Sequence, residues 1–240
     1  MCTVVALHRP GHPWPVVLAA NRDEMLARAW DPPAAHWPDH PGIVAGRDRT
    51  GGGTWMGVNR HGLVAAVLNR PGSLGPAPGK RSRGELPLLA LGHATAADAV
   101  VALTCLDAGE YRSFNMVLAD TRGAIFLRGL GAGRPEAVPL PGLGMVTAHD
   151  PNDISSPRVT RHLPRFAAAA PPEPPDRWNG WTALLADRTG PAGSELNVPP
   201  RGGFGTVCAS LLALPSAGPP VWLFAPGPPD KVGFAPVMTA

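Results

Sequence analysis

The chain has 240 residues, enough for one large domain or two small ones. Its 29 glycines and 31 prolines would suit a disordered chain, but 44% hydrophobic residues and seven tryptophans argue instead for an ordered domain with many rigid loops. A net charge of +3 with dispersed arginines argues against a nucleic-acid-binding face, and the lack of any apolar run near about 18 residues argues against a membrane span.

Residues 3–7 and 16–20 are short β-rich runs separated by the turn-forming stretch Arg9-Pro10-Gly11-His12-Pro13-Trp14-Pro15, which predicts a β-hairpin. Antiparallel pairing returns Asn21-Arg22-Asp23-Glu24 toward the start of the chain. Residues 31–50 are rich in Pro, Asp and His and are expected as surface loop. After Gly51-Gly52-Gly53, placed at a close backbone approach or a positive φ, the turn Asn59 to Gly62 leads into a buried strand, Leu63 to Leu68. Residues 72–84 form a basic loop. Leu86 to Leu91 is expected as helix, with Pro87 tolerated in its first turn, and Thr95 is a candidate N-cap for a second helix reaching Leu106. Asp120-Thr121-Arg122-Gly123 joins two strands, Phe114 to Ala119 and Ala124 to Leu127, and Gly144 to Ala148 is a further strand. Helices are predicted from Pro157 to about Ala169 and from Trp178 to Ala186, followed by a hairpin of Val207 to Leu214 and Val221 to Phe224. No linker divides the chain, so a single α+β domain with antiparallel sheets and outer helices is expected over residues 1–240.

Three widely spaced cysteines without a CxxC imply a reducing, cytoplasmic setting and no disulfide framework. Cys105 and Cys208 read as core residues. Cys2 is different, because the residue after an initiator methionine is small and Met1 is expected to be removed. The mature chain would then start on a residue with both a thiol and a free α-amino group, a nucleophile beside a base of matched pKa. Metal and cofactor signals are poor. The pairs His8/His12 and His36/His40 lie among prolines rather than on helices, and Gly75 to Lys80 has the wrong interval for a phosphate loop, with Arg81 where Ser or Thr is required. No cofactor and no metal are expected.

Cys2, Asn21-Arg22-Asp23-Glu24, Gly52-Gly53-Thr54-Trp55-Met56-Gly57-Val58-Asn59, Arg83-Gly84-Glu85-Leu86 and Phe114-Asn115, in this order, resemble the NRDE family. This transport and Golgi organisation protein 2-like group is similar to the N-terminal-nucleophile hydrolases. The resemblance implies a four-layer αββα sandwich with two stacked antiparallel sheets, and hydrolysis of a small or non-peptide amide C–N bond. It further implies Cys2 as nucleophile, Asp23 orienting the amino terminus, and Asn69 as the oxyanion donor. Arg22, with Asn21 and His149, is a candidate for binding the substrate. Two departures stand against this set. Related hydrolases carry a second asparagine near Thr147-Ala148-His149, and an arginine after Gly-Thr where this chain has Val207 following Gly205-Thr206. The alternative is a non-catalytic carrier of this fold, holding an apolar small molecule behind aromatics such as Trp14, Trp30, Trp37 and Trp55.

Overall fold

The computed structural model describes residues 2–239. In chain order its strands and helices are β1 (Thr3–His8), β2 (Val16–Met25), β3 (Trp30–Ala34), β4 (Ile43–Asp48), β5 (Met56–Asn59), β6 (Val64–Asn69), α1 (Glu85–Leu91), α2 (Ala96–Thr104), β7 (Phe114–Asp120), β8 (Gly123–Gly129), β9 (Glu136–Pro139), β10 (Leu143–Val146), α3 (Pro157–Ala168), α4 (Trp181–Leu185), β11 (Phe204–Leu214), β12 (Val221–Ala225) and β13 (Ala235–Pro236). They build two antiparallel sheets, one ordered β10-β1-β2-β11-β12-β13 and the other β3-β4-β5-β6-β7-β8-β9.

Alternation along the strands divides the apolar residues into three layers. Val4, Ala6, Leu18 and Ala20 of the first sheet meet Met56, Val58, Ala66 and Val117 of the second, forming the core between the sheets. The opposite face of the first sheet, with Val5, Val17, Ala19 and Leu211, is covered by Val159 and Phe166 of α3 and Trp181 and Leu185 of α4. The outer face of the second sheet, with Ala45, Ala65 and Met116, is covered by Leu86 and Leu91 of α1 and Ala99 and Leu103 of α2. The order helix, sheet, sheet, helix is the expected αββα sandwich.

Local chemistry explains the helix starts. The Thr95 hydroxyl accepts the Asp98 amide at 3.1 Å and opens α2, as its N-cap position requires. Pro157 occupies the first position of α3, whose Arg158, Val159, His162 and Phe166 are all buried on one face. The first hairpin pairs Thr3 with Asn21 and His8 with Val16, so β2 does come back to the chain start.

Four expectations need correction. Residues 31–50 are not all loop: β3 and β4 lie there, because Asp31 is buried between the guanidinium groups of Arg47 and Arg49 and Ile43 to Ala45 face the α1/α2 side and the inter-sheet core. The short strand β9 has no apolar alternation and so carries no strand signal in the sequence. The helix expected from Trp178 is shorter, starting at Trp181 behind Gly180, whose φ of +80° fits the left-handed region. Cys105 is exposed at the C-cap of α2, whereas Cys208 is buried as expected. No helix among the described residues is long and apolar enough to cross a membrane.

Candidate active site

Cys2 lies just ahead of β1, partly buried, with its side chain packed on the inter-sheet core. Its thiol donates to the main-chain carbonyl of Asp23 at 3.6 Å. Burial, and then the negative charge of Asp23, push the Cys2 thiol above its ordinary range, so the structure holds it protonated near neutral pH.

Asn21 to Glu24 are not a polar turn; they continue β2 between β1 and β11. Alternation along the strand therefore sends these side chains to opposite faces. Asp23 points toward the helix side. Its Oδ2 accepts from Arg158 Nη1 at 2.9 Å and its Oδ1 from the Thr206 hydroxyl at 2.6 Å, with both side chains of the ion pair almost wholly buried. Arg158 Nη1 also donates to the Thr3 hydroxyl at 2.8 Å, tying α3 to the residue that follows Cys2. Asn21 lies on the same face and is committed to structure, since its Nδ2 donates to the carbonyls of Leu185 and Leu196, each at 2.9 Å. It does not line the larger cavity in front of Cys2, although it borders the narrow pouch beside it.

Arg22 points the other way, between the sheets, with its guanidinium carbon 4.4 Å from the centre of the Trp55 ring. Trp55 in turn meets Trp30 edge-to-face at 5.8 Å. The Trp55 ring can sit here because Gly46 has no Cβ; one built there would fall 2.3 Å from the ring. Trp14, Trp30, Trp37 and Trp55 are all half-buried, and Trp30 and Trp55 share one cluster with Val207 and Cys208.

Val207 has a geometric role. The β2–β11 register shifts between Thr206, opposite Asp23, and Cys208, opposite Arg22. One extra residue reverses the alternation, so Thr206 reaches Asp23 on the helix side while Cys208 joins Arg22 between the sheets. Burial pushes the Cys208 thiol up to about 12, which makes it an inert neighbour of Cys2.

A cavity of about 250 Å³ opens in front of Cys2, and its walls include Arg22, Thr54, Trp55, Asn69 and Arg83. Beneath it a narrow, mostly apolar pouch runs between the sheets past Val4, Ala20, Met56 and Leu68. Asn69 sits at the end of β6, partly exposed, and its side chain makes no hydrogen bond among the described residues. It is available to a ligand. His149 is not part of this cavity: its ring lies near Ser155 and Asp153. The Phe114-Asn115 motif is structural, because Asn115 Nδ2 donates to the carbonyls of Thr147 and His149 and joins the two sheets. The glycines also behave structurally. Gly52 has φ of +73°, and a Cβ on Gly53 would fall 2.3 Å from the backbone of Gly84, where Thr54 N donates to Gly84 O at 2.8 Å.

The structure therefore brings Cys2, Arg22 and Asn69 to one cavity and sets Asp23 immediately behind it. Thr3 carried no signal in the sequence, and Thr206 stood there only as part of the Gly205-Thr206 pair ahead of Val207.

Comparison with known proteins agrees with this architecture. A C. elegans N-acylethanolamine-hydrolyzing acid amidase ortholog superposes with a TM-score of 0.57 at 13% identity, covering 88% of this chain and 92% of that one. Penicillin V acylase from Agrobacterium tumefaciens gives 0.52 at 14% identity, over 94% and 83%. A C2A mutant of conjugated bile acid hydrolase from Clostridium perfringens gives 0.53 at 12%, over 100% and 97%. At such identities the likeness establishes the N-terminal-nucleophile hydrolase fold. In sequence, the Transport and Golgi organization protein 2 homologs of Bos taurus and Homo sapiens are 33% and 32% identical over 113 and 110 residues, each match covering 44% of this chain and only 38% of the relative's length. The family model for Transport and Golgi organisation 2 matches residues 1–153, more than half of the chain, and the chain belongs to that family.

Proposed function

We propose that the chain is an amide hydrolase whose nucleophile is Cys2 after removal of Met1. The observation that carries this reading is the cavity shared by Cys2, Arg22 and Asn69, backed by the Asp23–Arg158–Thr206 cluster. The amidases among the fold neighbours support it.

A thiol held protonated needs a base at the moment of attack. With Met1 gone, the α-amino group of Cys2 takes the thiol proton, and the thiolate adds to the amide carbon. Negative charge moves to the carbonyl oxygen, where the Asn69 amide donates. The intermediate collapses to a thioester as the leaving amine takes the proton from the α-ammonium group. Water then gives a proton to the same amine and adds to the thioester, releasing the acid and the thiol. Asp23, fixed by Arg158 and Thr206, holds this end of β2 beside Cys2. A cytoplasmic setting belongs to the same reading, supported by three cysteines without a disulfide.

The test is a panel of N-acyl amides, with intact-mass analysis to follow Met1. Turnover is expected only from the Met1-free form and is abolished in Cys2→Ala. With Met1 present, iodoacetamide at neutral pH should label Cys2 more slowly than the exposed Cys105. Equal turnover with Met1 in place would falsify the mechanism. One observation favours a second reading, a carrier: the apolar pouch beside a protonated thiol could hold a ligand without chemistry. In that case Cys2→Ala binds ligand unchanged and no amide is cleaved.

A further inference from the structure

The cavity in front of Cys2 is lined by six basic side chains and two acidic ones. Some of that charge is already neutralised. Arg28 pairs with Asp48 at 2.7 Å, and Arg81 pairs with Glu85 and Glu110. Three guanidinium groups have less: Arg83 and Arg112 have no ion pair among the described residues, and Arg22 shares one carboxylate with Arg28. Arg22 is 6% exposed and pairs with Glu24 at 3.7 Å, a carboxylate that Arg28 also approaches at 3.8 Å, and its buried Nη1 has no hydrogen-bond partner among the described residues.

Arg83 and Arg112 are satisfied by neutral groups alone. Arg83 Nη1 donates to the Ser73 carbonyl at 2.7 Å, the Ser73 hydroxyl at 2.8 Å and the Ser113 carbonyl at 3.1 Å. Arg112 Nη1 donates to the carbonyls of Leu74 and Pro76 at 2.9 and 3.1 Å, and Nη2 to that of Gly72. Both strap the 72–76 loop onto the cavity, and neither has a carboxylate partner among the described residues. Burial, then the like charge of Arg112, lower Arg83 to about 10, and the nearby Glu24 carboxylate only partly offsets them. Partly desolvated arginines without a carboxylate match the fork geometry that binds carboxylate and phosphate.

We propose that this cavity is an anion site, in which Arg22, Arg83 and Arg112 receive a carboxylate or phosphate group carried by the ligand of Cys2. This deepens the amide-hydrolase reading by giving the substrate a negative charge. None of its tests uses turnover, so a failed amidase assay and a failed anion test are separate results.

The first probe pair is iodoacetate and iodoacetamide. Both alkylate the thiolate, so the ratio of their rates at one cysteine does not depend on that cysteine's pKa. Cys105, exposed and remote from the cavity, is the internal reference. The ratio at Cys2 is expected to exceed that at Cys105 by about tenfold, from unit charges a few ångströms apart in partly shielded surroundings. It should fall when sodium chloride is raised from about 0.05 M to about 0.5 M, because added salt shortens the screening length. Arg112→Gln should lower it several-fold while leaving the Cys105 ratio unchanged.

A second measurement needs no thiol chemistry and separates the two anions. Thermal unfolding is compared in sodium phosphate, sodium acetate and sodium chloride of equal ionic strength. A rise of about 3 °C in phosphate or in acetate over chloride, lost in Arg112→Gln, identifies which group the site takes. A ratio at Cys2 no higher than at Cys105 overturns the proposal. So does an absence of any specific stabilisation by either anion when Cys2 labels with neither reagent.

Discussion

Asp23→Asn is the substitution that most directly tests how β2 is held behind Cys2. The carboxylate accepts from Arg158 at 2.9 Å and from Thr206 at 2.6 Å, and neither side chain of the ion pair is more than 2% exposed. An amide of the same shape can still accept one of these bonds, but it leaves the buried Arg158 charge facing a neutral group. Removing one partner of a buried pair costs about 3–5 kcal/mol. For a chain of this size, 1 kcal/mol shifts the unfolding midpoint by about 2–4 °C, so a fall of roughly 6–20 °C is expected. Differential scanning calorimetry measures the fall. A double-mutant cycle with Arg158→Met isolates the pair, and a coupling of about 2 kcal/mol or more is expected because the two groups touch. The neutral double variant should therefore lose less stability than the two single changes added together. A loss below about 1 kcal/mol for Asp23→Asn, with additive single changes, would refute the assignment of Asp23 and Arg158 as a structural pair.

Three further outcomes follow from the same geometry. Asn69→Ala should lower amide turnover by about 10²–10³-fold if its amide serves the oxyanion, and should change stability by less than about 0.5 kcal/mol because it holds no other group; unchanged kcat/KM removes it from the site. His162 is fully buried, and burial lowers it to about 4 from an ordinary 6.5. A depressed pKa contributes stability above pH 6.5 that is lost as pH falls toward 4, so urea midpoints should decline over that interval and decline less in His162→Gln. Gly53→Ala places a Cβ 2.3 Å from the Gly84 backbone and should cost about 1–3 kcal/mol in urea unfolding, since backbone on both sides must shift.

The fold was largely legible because its signals are local. The apolar runs at 3–7, 16–20, 63–68 and 207–214, the Thr95 cap and Pro157 each fix one element without help from distant residues. β9 and the β3–β4 pair were missed because β9 lacks apolar alternation and Asp31 relies on arginines 16 and 18 residues away. The site was legible only in its residue types. Asn21, Arg22, Asp23 and Glu24 form one tetrad in sequence, yet a strand sends neighbours to opposite faces, so Asn21 serves the helix layer and Arg22 the cavity. Val207 reads in the sequence as a missing arginine. In the structure it is the bulge that lets Thr206 and Cys208 face different sides of one strand.

The sequence by itself determined the layered α+β plan and singled out Cys2, because strand periodicity, turn chemistry and a cysteine at position 2 are properties of short segments. Only the tertiary structure decided which charges keep company. Arg158 reaches Asp23 across 135 residues, and Arg83 and Arg112 are drawn to one loop beside Cys2 with no carboxylate between them. Electrostatic pairing depends on distance and burial, and neither quantity exists until the two sheets have packed.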